Sequence, residues 1–195
     1  MKKSDTPQLY PAAGRIRCHN RCMSTKVLMD VSEYLHTSFE GSDCEYLDGE
    51  VVERNMGELP HGDVQLNLGL LLRQMRKRLG IRVVPEIRIQ INPTRYRVAD
   101  LAAWRDDNIG TSIPTVPPFL VVEVLSPEDR MVRMLPKIQE YLSIGVEWIW
   151  IVDPYEQSAL LYSRQNPAGA VCDLLRTENP SIEIPLTAAF NLDAS

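Results

Sequence analysis

Two carboxylates stand in apolar company. The run Phe119-Leu120-Val121-Val122-Glu123-Val124-Leu125 is hydrophobic except at Glu123, and Val98-Ala99-Asp100-Leu101-Ala102-Ala103-Trp104 repeats the pattern around Asp100. Strands of this kind are buried on both faces. A charge inside one is costly unless it is paired or bound to a metal. The two runs are consecutive, so neighbouring strands would bring the acids together, where they repel. A divalent cation between them would remove that repulsion, and an all-oxygen set suits Mg²⁺ or Mn²⁺ better than Zn²⁺. Lys137 follows on the next helical segment, close enough to fold back as a third member. The alternative is a structural ion pair, with Arg97 or Lys137 neutralising one acid. Two acids on consecutive strands plus a lysine favour the metal site.

The elements that must position these groups are legible from periodicity. Val31, Tyr34, Leu35 and Phe39 fall at helical spacing and predict a short helix. Glu45 to Val52 reads as a β-hairpin turning at Asp48-Gly49. A long helix is predicted from near His61 to Leu79, with Leu68, Leu71, Leu72, Met75 and Leu79 as its buried stripe and Gly80 as its terminator. Ile81–Ile91, Arg97–Trp104 and Phe119–Leu125 have strand character. A second helical segment runs from about Asp129 to Ile144 and contains Pro136, which either kinks it or starts it. Glu147–Val152 is a further strand, and Ala159–Ser163 and Val171–Arg176 read as outer strands. The order predicts an α/β or α+β domain, a mixed sheet flanked by helices.

At 195 residues, 44% hydrophobic and 24% charged, the chain suits one domain with a full core. No apolar run approaches the roughly 20 residues of a membrane span. Lys2 and Lys3 are followed by polar residues and not by a signal-peptide core. The expectation is a cytoplasmic protein with no membrane partner and no organic cofactor. Residues 1–22 are read as a disordered tail before a single domain over 23–195, with Met23 as a second plausible start. Cys18 and Cys22 bracket His19, but no second ligand pair follows at finger spacing, so neither a zinc site nor a disulfide framework is expected. The net charge is −5; residues 1–22 carry +4, leaving −9 on the rest. An acidic body is not that of a generic nucleic-acid binder, and only local basic patches could meet phosphates.

A family resemblance attaches to these motifs. Arg97-Val98-Ala99-Asp100, then Leu120 to Pro127, then Lys137-x-x-x-Tyr141-x-x-x-Gly145-Val146-Glu147-x-Ile149-Trp150-x-Val152-Asp153-Pro154, is similar to the PD-(D/E)XK nuclease superfamily. More closely it resembles the Uma-two branch of restriction-endonuclease-like proteins. Upstream, Glu45 to Glu50 and His61 agree, and the likeness covers about residues 23–190. It implies a restriction-endonuclease-like core in which Asp100 and Glu123 are the motif acids. Leu125 stands where the motif lysine usually sits, and Lys137 matches a lysine moved to the following helix. Glu50 and His61 match auxiliary polar positions. Ala99, Arg133 and Pro136 depart from the family pattern, the last two beside Lys137.

The resemblance implies a Mg²⁺- or Mn²⁺-dependent endonuclease acting on DNA. Asp100 and Glu123 would hold the metal with the Val124 carbonyl, and Lys137 would assist at the phosphate. Arg73, Arg76 and Lys77, and separately Arg130 and Arg133 with Lys137, are the candidate phosphate contacts. Trp148 and Trp150 read as core or interface residues, and a homodimer is compatible with them. The rival readings are an inactive nuclease-fold module that binds DNA or protein, and a hydrolase of small phosphoesters.

Overall fold

The computed structural model describes residues 16–17, 28–40, 44–55, 57–105, 109, 113–127 and 131–191. In chain order the elements are β1 (Ile16–Arg17), α1 (Val31–His36), β2 (Phe39–Glu40), β3 (Cys44–Leu47), β4 (Glu50–Glu53), α2 (Leu59–Gln74), α3 (Arg76–Leu79), β5 (Ile81–Asn92) and β6 (Arg95–Arg105). Then come β7 (Leu120–Val124), α4 (Met131–Ile144), β8 (Trp148–Asp153), β9 (Ser158–Ser163), β10 (Ala170–Val171), β11 (Leu174–Glu178), β12 (Ser181–Pro185) and α5 (Leu186–Phe190).

The main sheet runs β10-β9-β8-β7-β6-β3-β4, with β5 also paired to β6. Strands β5 and β6 form a long antiparallel hairpin from Ile81↔Arg105 to Asn92↔Arg95. The other edge of β6 is shared. Its start pairs with β3 at Tyr46↔Tyr96 and Leu47↔Arg95. Its end pairs with β7 from Leu101↔Val122 to Ala103↔Leu120. Between these ladders the edge at residues 97–100 has no strand partner among the described residues. The sheet therefore forks there.

Strands β7 and β8 are parallel, so their connection must cross over a sheet face. Helix α4 makes that crossing and lies above Glu123. It packs Met134, Ile138 and Tyr141 against Val121, Ile149 and Ile151. Helix α2 covers the opposite face through Val64, Leu68 and Leu72, which pack with Leu101, Val122, Trp148 and Trp150. Leu71, Met75 and Leu79 complete the expected stripe, partly buried. The mixed sheet flanked by helices is the architecture expected from the element order.

Several boundaries differ from expectation. The long helix breaks at Met75, and α3 ends at Gly80, which takes the left-handed φ of 62° that glycine adopts without strain. Pro136 lies inside α4 and does not start it. The predicted outer strand Val171–Arg176 divides into β10 and β11, which belong to different sheets. The hairpin β11–β12 and α5 were not anticipated; both pack on the α2 side through Leu175, Ile184 and Ala189. Cys44 is disulfide-bonded, whereas Cys172 is a free thiol. Ile16–Arg17 pair in parallel with β2; the rest of the expected tail, with Cys18, His19 and Cys22, lies outside the described residues. Among the described residues, no helix is long and apolar enough to cross a membrane.

Candidate active site

Asp100 and Glu123 meet at the mouth of the fork. Strands β6 and β7 are last paired at Leu101 and Val122, and the next residue along each strand is one of these acids. Both carboxylates line one cavity, near enough for the charge of Asp100 to act on Glu123. Asp100 is 1% exposed and Glu123 2%. Where the backbones part, side chains replace the missing ladder. Asp100 Oδ2 accepts the Val124 N–H at 2.6 Å. Glu45 Oε1 accepts the Val98 N–H at 3.2 Å, and Lys137 Nζ donates to the Val98 carbonyl at 2.9 Å.

Lys137 thus arrives from α4 while Glu45 arrives from β3. Lys137 Nζ also donates to Glu123 Oε2 at 2.9 Å and lies 3.1 Å from Glu45 Oε1. One helical turn on, the Tyr141 hydroxyl donates to Glu123 Oε1 at 2.8 Å. Spacing of i, i+4 puts Lys137 and Tyr141 on one face of α4. Arg97 backs the cluster by donating to Glu45 Oε2 and Glu140 Oε2, each at 2.6 Å.

Asp100 is held from the other side. Arg54, just after β4, donates to its Oδ1 and also to Glu86 Oε2. His61, in the first turn of α2, places Nε2 3.4 Å from Asp100 Oδ2. Its ring packs so closely on Gly57 that a Cβ there would stand 2.6 Å from Nδ1. Gln65, one turn later, donates to Glu86 Oε1 at 2.6 Å and to the Asp100 carbonyl at 3.0 Å.

These surroundings push the two facing acids apart. Burial, aided by the charge of Asp100 and only partly offset by Lys137, raises the Glu123 carboxyl to about 7. Burial opposes ionisation of Asp100 as well. The hydrogen bond from His61 and the charges of Arg54 and Lys137 outweigh it and hold Asp100 at about 2. Glu45 is also buried, yet Lys137 and Arg97 keep it at about 2. Lys137 is raised: burial disfavours its charge, but Glu123 and Glu45 prevail. His61 is raised too, because Asp100 outweighs its partial burial. Facing carboxyls with separated pKa values are a mark of acid–base or metal chemistry.

The Uma2 family model, described as "Putative restriction endonuclease", matches residues 31–195. The chain belongs to the Uma2 family. The fold is similar to the crystal structure of a "putative nuclease belonging to DUF820" from Anabaena variabilis ATCC 29413, with a TM-score of 0.74 and 20% identity over 83% of this chain and 97% of that one. No curated protein matches.

In this Uma2 chain the site opens into a cavity of about 620 Å³. Six carboxylates line it, from Glu45, Glu53, Glu58, Glu86, Asp100 and Glu123, against the cations of Arg54, Arg97, Arg133 and Lys137. The two signs come close to balance, because Glu123 is raised to about 7 and His61, also on the wall, is raised as well. Among the described residues, no three His, Cys, Asp or Glu side chains are grouped as metal ligands. The donor set that Asp100 and Glu123 offer the cavity is two carboxylates, and a hard divalent ion such as Mg²⁺ binds through one or two carboxylates and keeps several waters.

The structure gathers Asp100, Glu123, Lys137 and His61, and sets Arg133 on the cavity wall. Glu50 shares the hairpin face of Glu45, but it stands beside the turn, opposite Leu47, and is not part of the lining. Arg73 and Lys77 are exposed and Arg76 half-buried, all outside this cavity. Arg130 lies outside the described residues. Trp148 and Trp150 are buried core. Sequence reasoning assigned no role to Arg54, Glu45, Gln65, Glu86 or Tyr141. Only Tyr141 left a usable signal, its spacing of four from Lys137.

Proposed function

We propose that this Uma2 protein is a Mg²⁺- or Mn²⁺-dependent endonuclease that hydrolyses DNA phosphodiester bonds. The observation that carries the reading is the pair of buried carboxylates opposite each other one step past the β6–β7 ladder, with Lys137 against Glu123. Family membership supports it, since the family model carries the description "Putative restriction endonuclease".

Asp100 and Glu123, with the Val124 carbonyl, are the residues that would hold the metal. When bound, it would polarise the phosphate and acidify a water. Lys137, kept protonated by Glu123 and Glu45, supplies positive charge near the negative charge that develops on the phosphorane. Tyr141 fixes Glu123 by its hydrogen bond. His61 is close enough to Asp100 to orient it, and its raised pKa makes it a proton donor near neutrality. Arg133 offers the polyanion a contact on the cavity wall.

A second reading, a module that binds without cutting, is favoured by one observation: Arg54 already occupies Asp100. A nicking assay on supercoiled plasmid with Mg²⁺ or Mn²⁺ separates the two. Metal-dependent nicking by the wild type, lost in Asp100→Ala and in Lys137→Ala, is the expected result. A wild type that cuts nothing, or variants that cut equally well, would hand the lead to the binding module.

A further inference from the structure

Arg54 is a cation standing on the proposed metal ligand. Its guanidinium is forked, one nitrogen on Asp100 Oδ1 and the other on Glu86 Oε2. Its side chain is 17% exposed, so the pair with Asp100 is shielded from solvent. Glu86 is placed for this at a cost. Its φ of 46° lies in the left-handed region, which side chains other than glycine's disfavour. It sits between the pairs Pro85↔Leu101 and Ile87↔Ala99, directly across β5–β6 from Asp100. Gln65 holds its second oxygen at 2.6 Å. Two acceptors for one guanidinium, one of them the metal ligand and the other outside the acid pair, make a two-position holder.

We infer that Arg54 is an internal competitor for the divalent cation. It rests on Asp100 while the site is metal-free and is carried by Glu86 and Gln65 when a metal takes Asp100. The inference rests on the metal-site reading above. Its consequence is a weakened apparent affinity, because only molecules with Asp100 released can bind. Arg54 thereby sets the concentration of divalent ion at which the site loads. Glu86 acts only through Arg54.

The test is calorimetric titration of Mn²⁺ into the wild type, Arg54→Met, Glu86→Gln, the double variant and Asp100→Asn, each checked for folding by circular dichroism. Arg54→Met is expected to bind Mn²⁺ about tenfold more tightly than the wild type. Glu86→Gln is expected to weaken binding with Arg54 present and to change nothing in the Arg54→Met background. If Arg54→Met binds no more tightly while Asp100→Asn abolishes binding, the metal site stands and the competitor is wrong. An equal effect of Glu86→Gln in both backgrounds would also overturn it, since Glu86 would then act by its own charge. If neither the wild type nor Arg54→Met binds Mn²⁺, the metal reading falls and takes the competitor with it. Should Arg54→Met fail to fold, Arg54→Lys replaces it, because an ammonium lacks the fork; tighter binding supports the proposal and unchanged binding refutes it.

Discussion

Lys137 Nζ donates to the Val98 carbonyl at 2.9 Å, so the proposed catalytic lysine also closes the edge of β6 that no strand among the described residues covers. It does this while neutralising Glu123 and Glu45. Removing it takes the counter-charge from Glu123, which keeps the Tyr141 hydroxyl, leaves Glu45 to Arg97 and breaks the hydrogen bond to the Val98 carbonyl.

Lys137→Met is therefore expected to cost stability as well as cleavage. Breaking a buried pair by deleting one partner costs about 3–5 kcal/mol. Urea unfolding would show this loss. Glu123→Gln added to Lys137→Met should recover part of it, because a neutral amide needs no counter-charge. Full additivity of the two changes would mean that Lys137 and Glu123 are not coupled in solution.

The sheet, both principal helices and the acid pair were legible in the sequence because each leaves a local signature. Asp100 and Glu123 interrupt apolar strands, and consecutive strands are often neighbours. The groups that neutralise them were not legible. Arg54 follows an ordinary amphipathic hairpin, Glu86 follows a proline within a strand, and Glu45 looks like a solvent-facing strand residue. Their roles arise because β6 splits its pairing between β3 and β7, which no periodicity reports. Arg97 and Lys137 were each weighed as the counter-ion for one acid. Lys137 took Glu123, while Arg97 pairs with Glu45 and Glu140 instead.

Gly57 tests the placement of His61. An alanine Cβ would stand 2.6 Å from Nδ1, so the ring must move. Overpacking of this kind costs about 1–3 kcal/mol. Gly57→Ala should lower the melting temperature and slow cleavage, since the displaced ring is the one that lies 3.4 Å from Asp100. Unchanged cleavage would remove His61 from the mechanism.

Arg133 is exposed on the cavity wall, where it can meet a phosphate without holding the fold together. Arg133→Ala should weaken DNA binding alike for all sequences and reduce the slope of log affinity against log salt by about 1. Stability should stay within about 0.5 kcal/mol of the wild type, as for most surface substitutions. Fluorescence anisotropy with a short duplex across a salt series reads both terms. An unchanged slope would place the DNA elsewhere.

The metal-free protein should lose stability as pH rises from about 5 to 8. Glu123 is raised to about 7 from 4.5, so the folded state holds a proton that the unfolded chain has released. Its contribution is fully present below 4.5 and is gone above about 7. His61, also raised, acts in the same direction: its contribution is present below 6.5 and lost as pH climbs through the higher folded value. Asp100 and Glu45, each held at about 2, are ionised in both states across this window and add no slope. Glu123 alone bounds the effect at about 3 kcal/mol. Urea midpoints measured without divalent ions should fall with pH in the wild type and stay flatter in Glu123→Gln. Saturating Mg²⁺ should remove Glu123's part of the slope, because a metal-bound carboxylate holds no proton in the folded state and the unfolded chain holds none above about pH 5. A wild-type midpoint that changes with pH no more than that of Glu123→Gln would mean that Glu123 is ionised throughout and that Lys137 suffices to hold its charge.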